Sequence, residues 1–421
     1  MKNQIKKDKM QPVRGTKDLF GQEILAFNHI VNTTKSVAET YGFSEISTPI
    51  FEFSEIFERN LGETSDIISK EVYKFPDRGD NFLTLRPEFT AGIVRALISN
   101  GELSQSMPQK LFSSGPIFRY DRPQKGRQRQ FHQINFESIG QKHFLNDAEM
   151  IGLACLVLKK LGVLKHTTLQ VNSLGSEETK FRYKNALIEY FSKYRQELSE
   201  DSQSRLEKNP LRILDSKNAN DIKISSGAPF IKEYFDDDSW YHFEHTLISL
   251  TTLGISYRIN PMLVRGLDYY TGTVFEFTTG DLGAQNAVLA GGRYDNLISK
   301  MGGQDLPAIG FAAGIERLML LSDFKSESPR PVFVVYVSTD EQKEAFRIVS
   351  NLRNAGIYSE MLFDANIKKQ MKKASELNTK FAIIIGEEEA KSRIFKIKNF
   401  DTGIEDPVMN KHILRFLKQN N

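Results

Sequence analysis

The sequence predicts an α+β domain built on an antiparallel sheet, with a helical insertion, followed by a small α/β domain. Three observations predict it. Residues 1–322 hold many short runs of aromatic and β-branched residues, broken by Gly and Pro turns, the pattern of locally paired strands. Residues 176–245 interrupt that pattern with a charged, helix-like stretch, TKFRYKNALIEYFSKYRQEL, and carry few strand signals. The polar segment DFKSESPRP (323–331) then separates this body from a tail in which strand and helix patterns alternate. The expected domains are 1–325 and 330–421, with 176–245 as the insertion.

Composition supports a folded protein. At about 150 residues per domain, a chain of 421 residues suggests two or three domains. It is 40% hydrophobic and 26% charged, which excludes a collagen, a disordered tail and a disulfide scaffold. The single cysteine, Cys155, sits in the apolar run IGLACLVL and reads as a buried thiol in a reducing compartment, hence the cytoplasm. No run approaches the roughly 18 apolar residues of a membrane span. The lysine-rich start MKNQIKKDKM lacks a following apolar core and reads as a solvated tail. Net charge is only +3, but residues 325–421 hold 17 Lys and Arg against 13 Asp and Glu. That bias fits a phosphate-bearing partner or an ordinary solvated face.

In chain order, a helix is expected over 22–41, ending at Gly42. Others are expected near 87–99, with Pro87 at its first position, near 146–161 and near 314–322. In the tail, strand 332–337 leads to a helix ending at Gly356, then a strand over 357–362 and a basic helix over 367–378. Strands over 381–386 and 393–400 and a last helix near 407–419 complete a mostly parallel sheet.

Polar residues concentrate in five places. The first is FRYDRPQKGRQRQFHQINFESIG (118–140), two strand-like arms around a Pro-Gln-Lys-Gly turn. It carries Arg119, Arg122, Lys125, Arg127 and Arg129, and the planar fork of arginine suits phosphate oxygens. At period two, Phe131, Gln133, Asn135 and Glu137 share one face, and His132 falls on the other as a structural residue. The second is LVRGLDYYTGTVFEF (263–277), where Arg265, Asp268, Tyr269 and Tyr270 read as either a tyrosine corner with a salt bridge or a ligand site. The third, AGGRYDNL (290–297), reads as a tight turn or a close backbone approach. The fourth, PAIGFAAGIERLML (307–320), places Arg317 early in a helix beside small residues that leave room for a flat ring. In the fifth, LTLRPEFTAGIVRAL (83–97), Glu88 and Thr90 either cap a helix or meet an ammonium group. No Walker, kinase, zinc or dinucleotide motif is present.

Taken in order, these segments resemble one family. The arginine hairpin and the Arg317 strand–helix resemble motifs 2 and 3 of class II aminoacyl-tRNA synthetases. RGTKDL (14–19), TLRPEFTAG (84–92), RPQKGRQRQFHQ (122–133), LVRGLDYYTGTVFEF and AGGRYDNL are similar to the histidyl-tRNA synthetase pattern across nearly the whole chain. The resemblance implies a class II catalytic core, a C-terminal anticodon-binding domain and a homodimer in which TPIFEFSEIFE (48–58) contributes to the interface. It implies ATP and L-histidine as substrates, with Mg2+ bound mainly through the ATP phosphates, and tRNA(His) as partner. Arg119 and Arg265 are then the catalytic pair at the α-phosphate. Arg127 and Arg317 take the outer phosphates, and Phe131 stacks on adenine. Glu88, Thr90, Gln133, Glu137, Tyr269, Tyr270 and Tyr294 bind histidine, whose ammonium meets the first three. Arg122, Gln124 and Lys125 meet the acceptor end, and Lys368 and Lys369, with Lys372 and Lys373, the anticodon end. Asp121 departs from the glutamate frequent in that strand. A regulatory subunit or tRNA-sensing paralogue without aminoacylation is the competing expectation, disfavoured because Arg119, Arg265, Arg317 and residues 330–421 are all present.

Overall fold

A computed structural model describes residues 10–58, 71–104, 107–283, 286–325 and 329–420. The lysine-rich start, except Met10, and part of the 323–331 segment lie outside them. The chain forms two compact units that meet between Lys325 and Ser326.

The first unit is built on an eight-stranded sheet. At its centre, strands Gln109–Phe118, Gln130–Ile139, Ala308–Gly314, Ala287–Arg293, Thr271–Thr278 and Thr168–Ser173 pair antiparallel in that order. Only the short edge strands, Ser44–Glu45 and Arg258–Ile259, pair parallel. The antiparallel expectation therefore holds. Alternation divides the sheet into two faces. Ile134 and Phe136 point into a core closed by helices Gln22–Thr40, Phe144–Lys160 and Ile315–Leu321. The first of these helices buries Ile30, Thr34, Val37 and Ala38, a stripe of helical period, and ends before Gly42 at φ 75°. Phe131, Gln133, Asn135 and Glu137 point the other way, into a cavity. Cys155 is half-buried, and burial pushes its thiol up to about 12, so it is inert at neutral pH.

Three local expectations need correction. The helix expected from Pro87 begins at Thr90. The Glu88 carboxylate instead accepts the Thr90 and Ala91 N–H groups at 2.6 and 2.8 Å, satisfying donors the helix start leaves open. AGGRYDNL is no tight turn, because Gly291 and Gly292 lie inside strand Ala287–Arg293. A Cβ on Gly291 would lie 2.3 Å from the Gly310 carbonyl oxygen, so close strand packing demands glycine there. The insertion's expected end at 245 cuts through helix Asp237–Thr252, which packs on Phe144–Lys160.

The second unit holds a five-stranded sheet. Strands Val332–Tyr336, Ser359–Glu360 and Phe381–Ile385 pair parallel, but Ile394–Asn399 and Glu405–Met409 extend the sheet antiparallel. The sheet is thus mixed rather than mostly parallel. The stretch from 407 begins as strand, because Val408 pairs with Phe395 and is buried with it, and the last helix starts only at Ile413. A short helix, Glu387–Ser392, had no signal beyond its acidic first turn.

One ion pair ties the layers of the first unit together. Arg293 is 2% exposed and forks onto Asp147, itself fully buried, while its other arm reaches Asp295 at 2.9 Å. His242, on the helix past the insertion, meets Asp147 at 2.8 Å. Burial works to raise the Asp147 carboxyl, but Arg293 and His242 hold it down at about 2. Its stabilisation is therefore present above the usual aspartate range and lost as pH falls through about 2. Asp147→Ala removes the buried counter-charge of Arg293 and leaves it only the partly exposed Asp295. We expect the substitution to lower the unfolding free energy by about 3–5 kcal/mol in urea denaturation at pH 7, whereas Lys391→Ala, which removes only an exposed pair, leaves the denaturation midpoint nearly unchanged.

Candidate functional site

The cavity on the open face has a volume of about 260 Å3. It gathers Glu88, Thr90, Arg119, Arg127, Phe131, Gln133, Glu137, Arg265, Tyr269, Tyr270, Tyr294 and Arg317, for which the family resemblance implies amino-acid and nucleotide binding. These residues come from segments up to 229 positions apart, between Glu88 and Arg317. The cavity does not include Arg122, Gln124 or Lys125. They are exposed at the hairpin tip, which an isolated bridge between Gln124 and Arg127 closes. Lys368, Lys369, Lys372 and Lys373 belong to the second unit, on helix Ile367–Glu376. Lys372 and Lys373 reach Glu376 at 3.9 and 3.8 Å, so half of that cluster carries a local partner.

The register explains how the cavity opens. Gly310, Ala312 and Gly314 stand opposite Glu137, Asn135 and Gln133 on the neighbouring strand. Small residues beside polar ones leave space above the sheet. The need is sharpest at Gly310, where a Cβ would sit 1.7 Å from a Glu137 carboxylate oxygen.

Glu137 is the polar centre. It is 1% exposed and accepts hydrogen bonds from the Thr90 hydroxyl at 2.6 Å, the Asn135 amide at 3.0 Å and the Tyr294 hydroxyl. Burial pushes its carboxyl up to about 7, the three donors pull it back, and Glu88 adds to the rise. Glu88 is also buried and raised by burial. Tyr269 and Tyr270 pack ring against ring with centroids 4.7 Å apart, and Tyr269 meets Tyr294 edge-on at 5.6 Å. The Gln133 side-chain oxygen is buried without a hydrogen-bond partner, an acceptor open to a ligand.

Arginines line the other end. Arg119 donates to the Pro87 carbonyl at 2.9 Å and lies 5.5 Å from the Phe131 ring centroid. Arg317 donates to the carbonyls of Gly126 at 2.9 Å and Ala287 at 2.5 Å. Its proton affinity is lowered, first by burial and then by Arg127 and Arg119. Arg127 pairs with Asp121, so the departure noted at Asp121 has a structural use. Arg265 meets Glu276 at 3.6 Å, and its buried Nε has no partner. A cavity holding these four cations close together is built to neutralise a polyanion. Among the described residues no cluster of three or more His, Cys, Asp or Glu could hold a metal.

His132 lies on the opposite face as expected, where its ring meets Glu316 at 2.8 Å. Sequence reasoning missed Glu276, because its pairing with Arg265 joins a strand to an irregular loop and leaves no periodic trace. Asn135 had the right alternation but was not singled out as a ligand residue.

Between pH 4.5 and about 7 the folded chain keeps a proton on Glu137 that an unfolded chain has lost. Stability therefore falls as pH rises through that window and levels off above it. Glu137→Gln should remove this slope, which urea titrations at pH 5, 6, 7 and 8 measure directly.

The family model described as Histidyl-tRNA synthetase matches residues 15–179 and 238–318, and one described as Anticodon binding domain matches 331–420. A histidine–tRNA ligase of Wolbachia pipientis subsp. Culex pipiens (strain wPip) is 52% identical over 395 residues, covering 94% of this chain and 96% of that protein. One from Orientia tsutsugamushi (strain Ikeda) is 47% identical over 418 residues, covering 98% and 99%. The crystal structure of apo S. aureus histidyl-tRNA synthetase superposes with a TM-score of 0.82 at 32% identity, covering 97% of this chain and 99% of that one. The chain belongs to the histidyl-tRNA synthetase family.

Proposed function

We propose that this chain is a histidine–tRNA ligase. It joins L-histidine to ATP as histidyl-adenylate with release of pyrophosphate, then passes histidine to the 3′ end of tRNA(His). The observation that carries the reading is one cavity with a buried carboxylate and tyrosines at one end and four arginines at the other. An imidazole has two ring nitrogens to satisfy, and Glu137 with Tyr270 supply two polar partners. Glu88, Thr90 and Gln133 offer acceptors for the ammonium, while Tyr269 and Tyr294 wall the pocket. A side chain unable to satisfy these groups leaves them buried and unpaired, which is the basis for rejecting other amino acids.

In the first step the histidine carboxylate attacks the α-phosphorus and pyrophosphate leaves. Arg119 and Arg265 neutralise the charge that grows on the α-phosphate in the transition state. Arg127 and Arg317 hold the outer phosphates, and Phe131 stacks on adenine. Magnesium arrives with ATP and is held by its phosphates. In the second step a ribose hydroxyl of tRNA attacks the acyl carbon and AMP leaves. Arg122, Gln124 and Lys125, exposed at the hairpin tip, meet the acceptor end, and Lys368 and Lys369 meet the backbone near the anticodon. The cytoplasm, where tRNA is charged, is the site of action.

The working form is a homodimer. Phe51 and Phe53, 53% and 57% exposed, and Phe75 at 39%, which shares their face across Leu83, leave an apolar face on the small sheet of Phe51–Phe53, Tyr73–Pro76 and Phe82–Leu85. That area suits burial against a second copy.

Arg265→Ala should leave histidine binding within about threefold of the parent and lower the rate of histidine-dependent ATP–pyrophosphate exchange by about 100-fold or more. Calorimetry and exchange kinetics on the same preparation separate the two effects, and strong residual exchange would remove Arg265 from the chemistry. Deleting residues 326–421 should spare exchange and cripple tRNA charging; unimpaired charging would show that the second unit does not recognise tRNA.

A further inference from the structure

The loop that carries Arg265, Tyr269 and Tyr270 is gripped by the helical insertion through three side chains. Arg212, on the short helix Pro210–Ile213, donates from Nη1 to the Arg265 carbonyl at 3.1 Å. Lys180, on helix Glu177–Ser192, donates from Nζ to the Tyr270 carbonyl at 2.9 Å. Asn209 donates its amide to the Asp268 carboxylate at 2.8 Å. The grip is close as well as polar, since a Cβ on Gly266 would lie 3.3 Å from an Arg212 guanidinium nitrogen.

Two features make this more than ordinary packing. Arg212 is 8% exposed and the Lys180 side chain 14%, so two cations largely withdrawn from water donate to carbonyls of a single loop, Lys180 while also pairing with Glu177 at 3.1 Å. Such burial is costly and rarely occurs without specific partners. The loop also carries no helix or strand of its own between residues 263 and 270. Arg265 lines the cavity from that irregular segment. Its own counter-charge, Glu276, stands 3.6 Å away and leaves the buried Nε unpartnered. Backbone fixation at residues 265 and 270 therefore sets where the guanidinium stands. Lys180, Asn209 and Arg212 all lie in the stretch that the synthetase family model passes over, between 179 and 238.

We propose that Arg212 and Lys180 are positioning residues for amino-acid activation: the insertion braces the loop, so that Arg212 sets the placement of Arg265 and Lys180 that of Tyr270. This rests on the ligase reading above. It assigns the insertion a part in the first chemical step, before tRNA is involved. A shift of about 1 Å at a charge-neutralising group costs up to about 100-fold in rate. Loss of the Arg212 contact therefore acts on kcat, and loss of the Lys180 contact on the KM for histidine.

The test uses the full chain with Arg212→Met, Arg212→Lys and Lys180→Met. Histidine-dependent ATP–pyrophosphate exchange and amide hydrogen exchange over 263–270 are followed in each. Arg212→Met should lower kcat by about 10- to 100-fold, with the KM for ATP within about twofold, and Arg212→Lys should restore part of the loss. Lys180→Met should raise the KM for histidine by about fivefold or more. In both Met variants the amides of 263–270 should lose protection while the central strands keep theirs. Unchanged protection in the loop, or protection lost evenly through the whole unit, overturns the brace. If Arg212→Met does not fold, Arg212→Lys and Lys180→Met give the same reading. If the parent shows no histidine-dependent exchange, the ligase reading fails, and loop protection alone decides the brace.

Discussion

The site depends on keeping one carboxylate, Glu137, inside the protein. A buried acid at that position needs donors, and they arrive from three elements. Thr90 comes from the start of a helix, Asn135 from the same strand, and Tyr294 from the end of the glycine-bearing strand. It also needs room, which Gly310 provides on the adjoining strand. Thr90 and Tyr294 sit at the ends of their elements and Asn135 inside a central strand, whose other face packs into a core. The hydrogen bonds around Glu137 thus tie the cavity to the fold, and a shift in any one element reaches the others.

The same cavity separates its charges. Carboxylates and tyrosines occupy the end where an imidazole and an ammonium would lie, and arginines the end where phosphates would lie. Without ligand, the arginines repel one another and rely on backbone carbonyls: Pro87 for Arg119, Gly126 and Ala287 for Arg317. A polyphosphate would relieve that repulsion, so binding energy is available where negative charge develops. The Asp147–Arg293 pair supports both ends indirectly. It fixes the strand that leads into Tyr294 and joins it to the helix carrying His242.

Much of this was legible in the residues. Period-two alternation put Phe131, Gln133, Asn135 and Glu137 on one face, and the sheet places them there because Ile134 and Phe136 must face the core. The division into two compact units falls between residues 325 and 326, inside the polar segment 323–331. What escaped was set by distant partners. Gly291 and Gly292 read as a turn, since nothing local announces that a neighbouring strand leaves no space for a side chain. The final strand read as helix because its pairing with Ile394–Asn399 is a tertiary contact. Glu88 offered two roles by sequence, capping and ligand binding, and the geometry is compatible with both: it caps the helix while lining the cavity.

On the proposed reading, this cavity pairs an imidazole-reading carboxylate with a phosphate-binding arginine cluster. The most direct measurement is ATP–pyrophosphate exchange by the intact protein with each of the standard amino acids in turn. Exchange should depend on histidine and on no other amino acid. Exchange with a different amino acid, or none with any from folded protein, would contradict that reading.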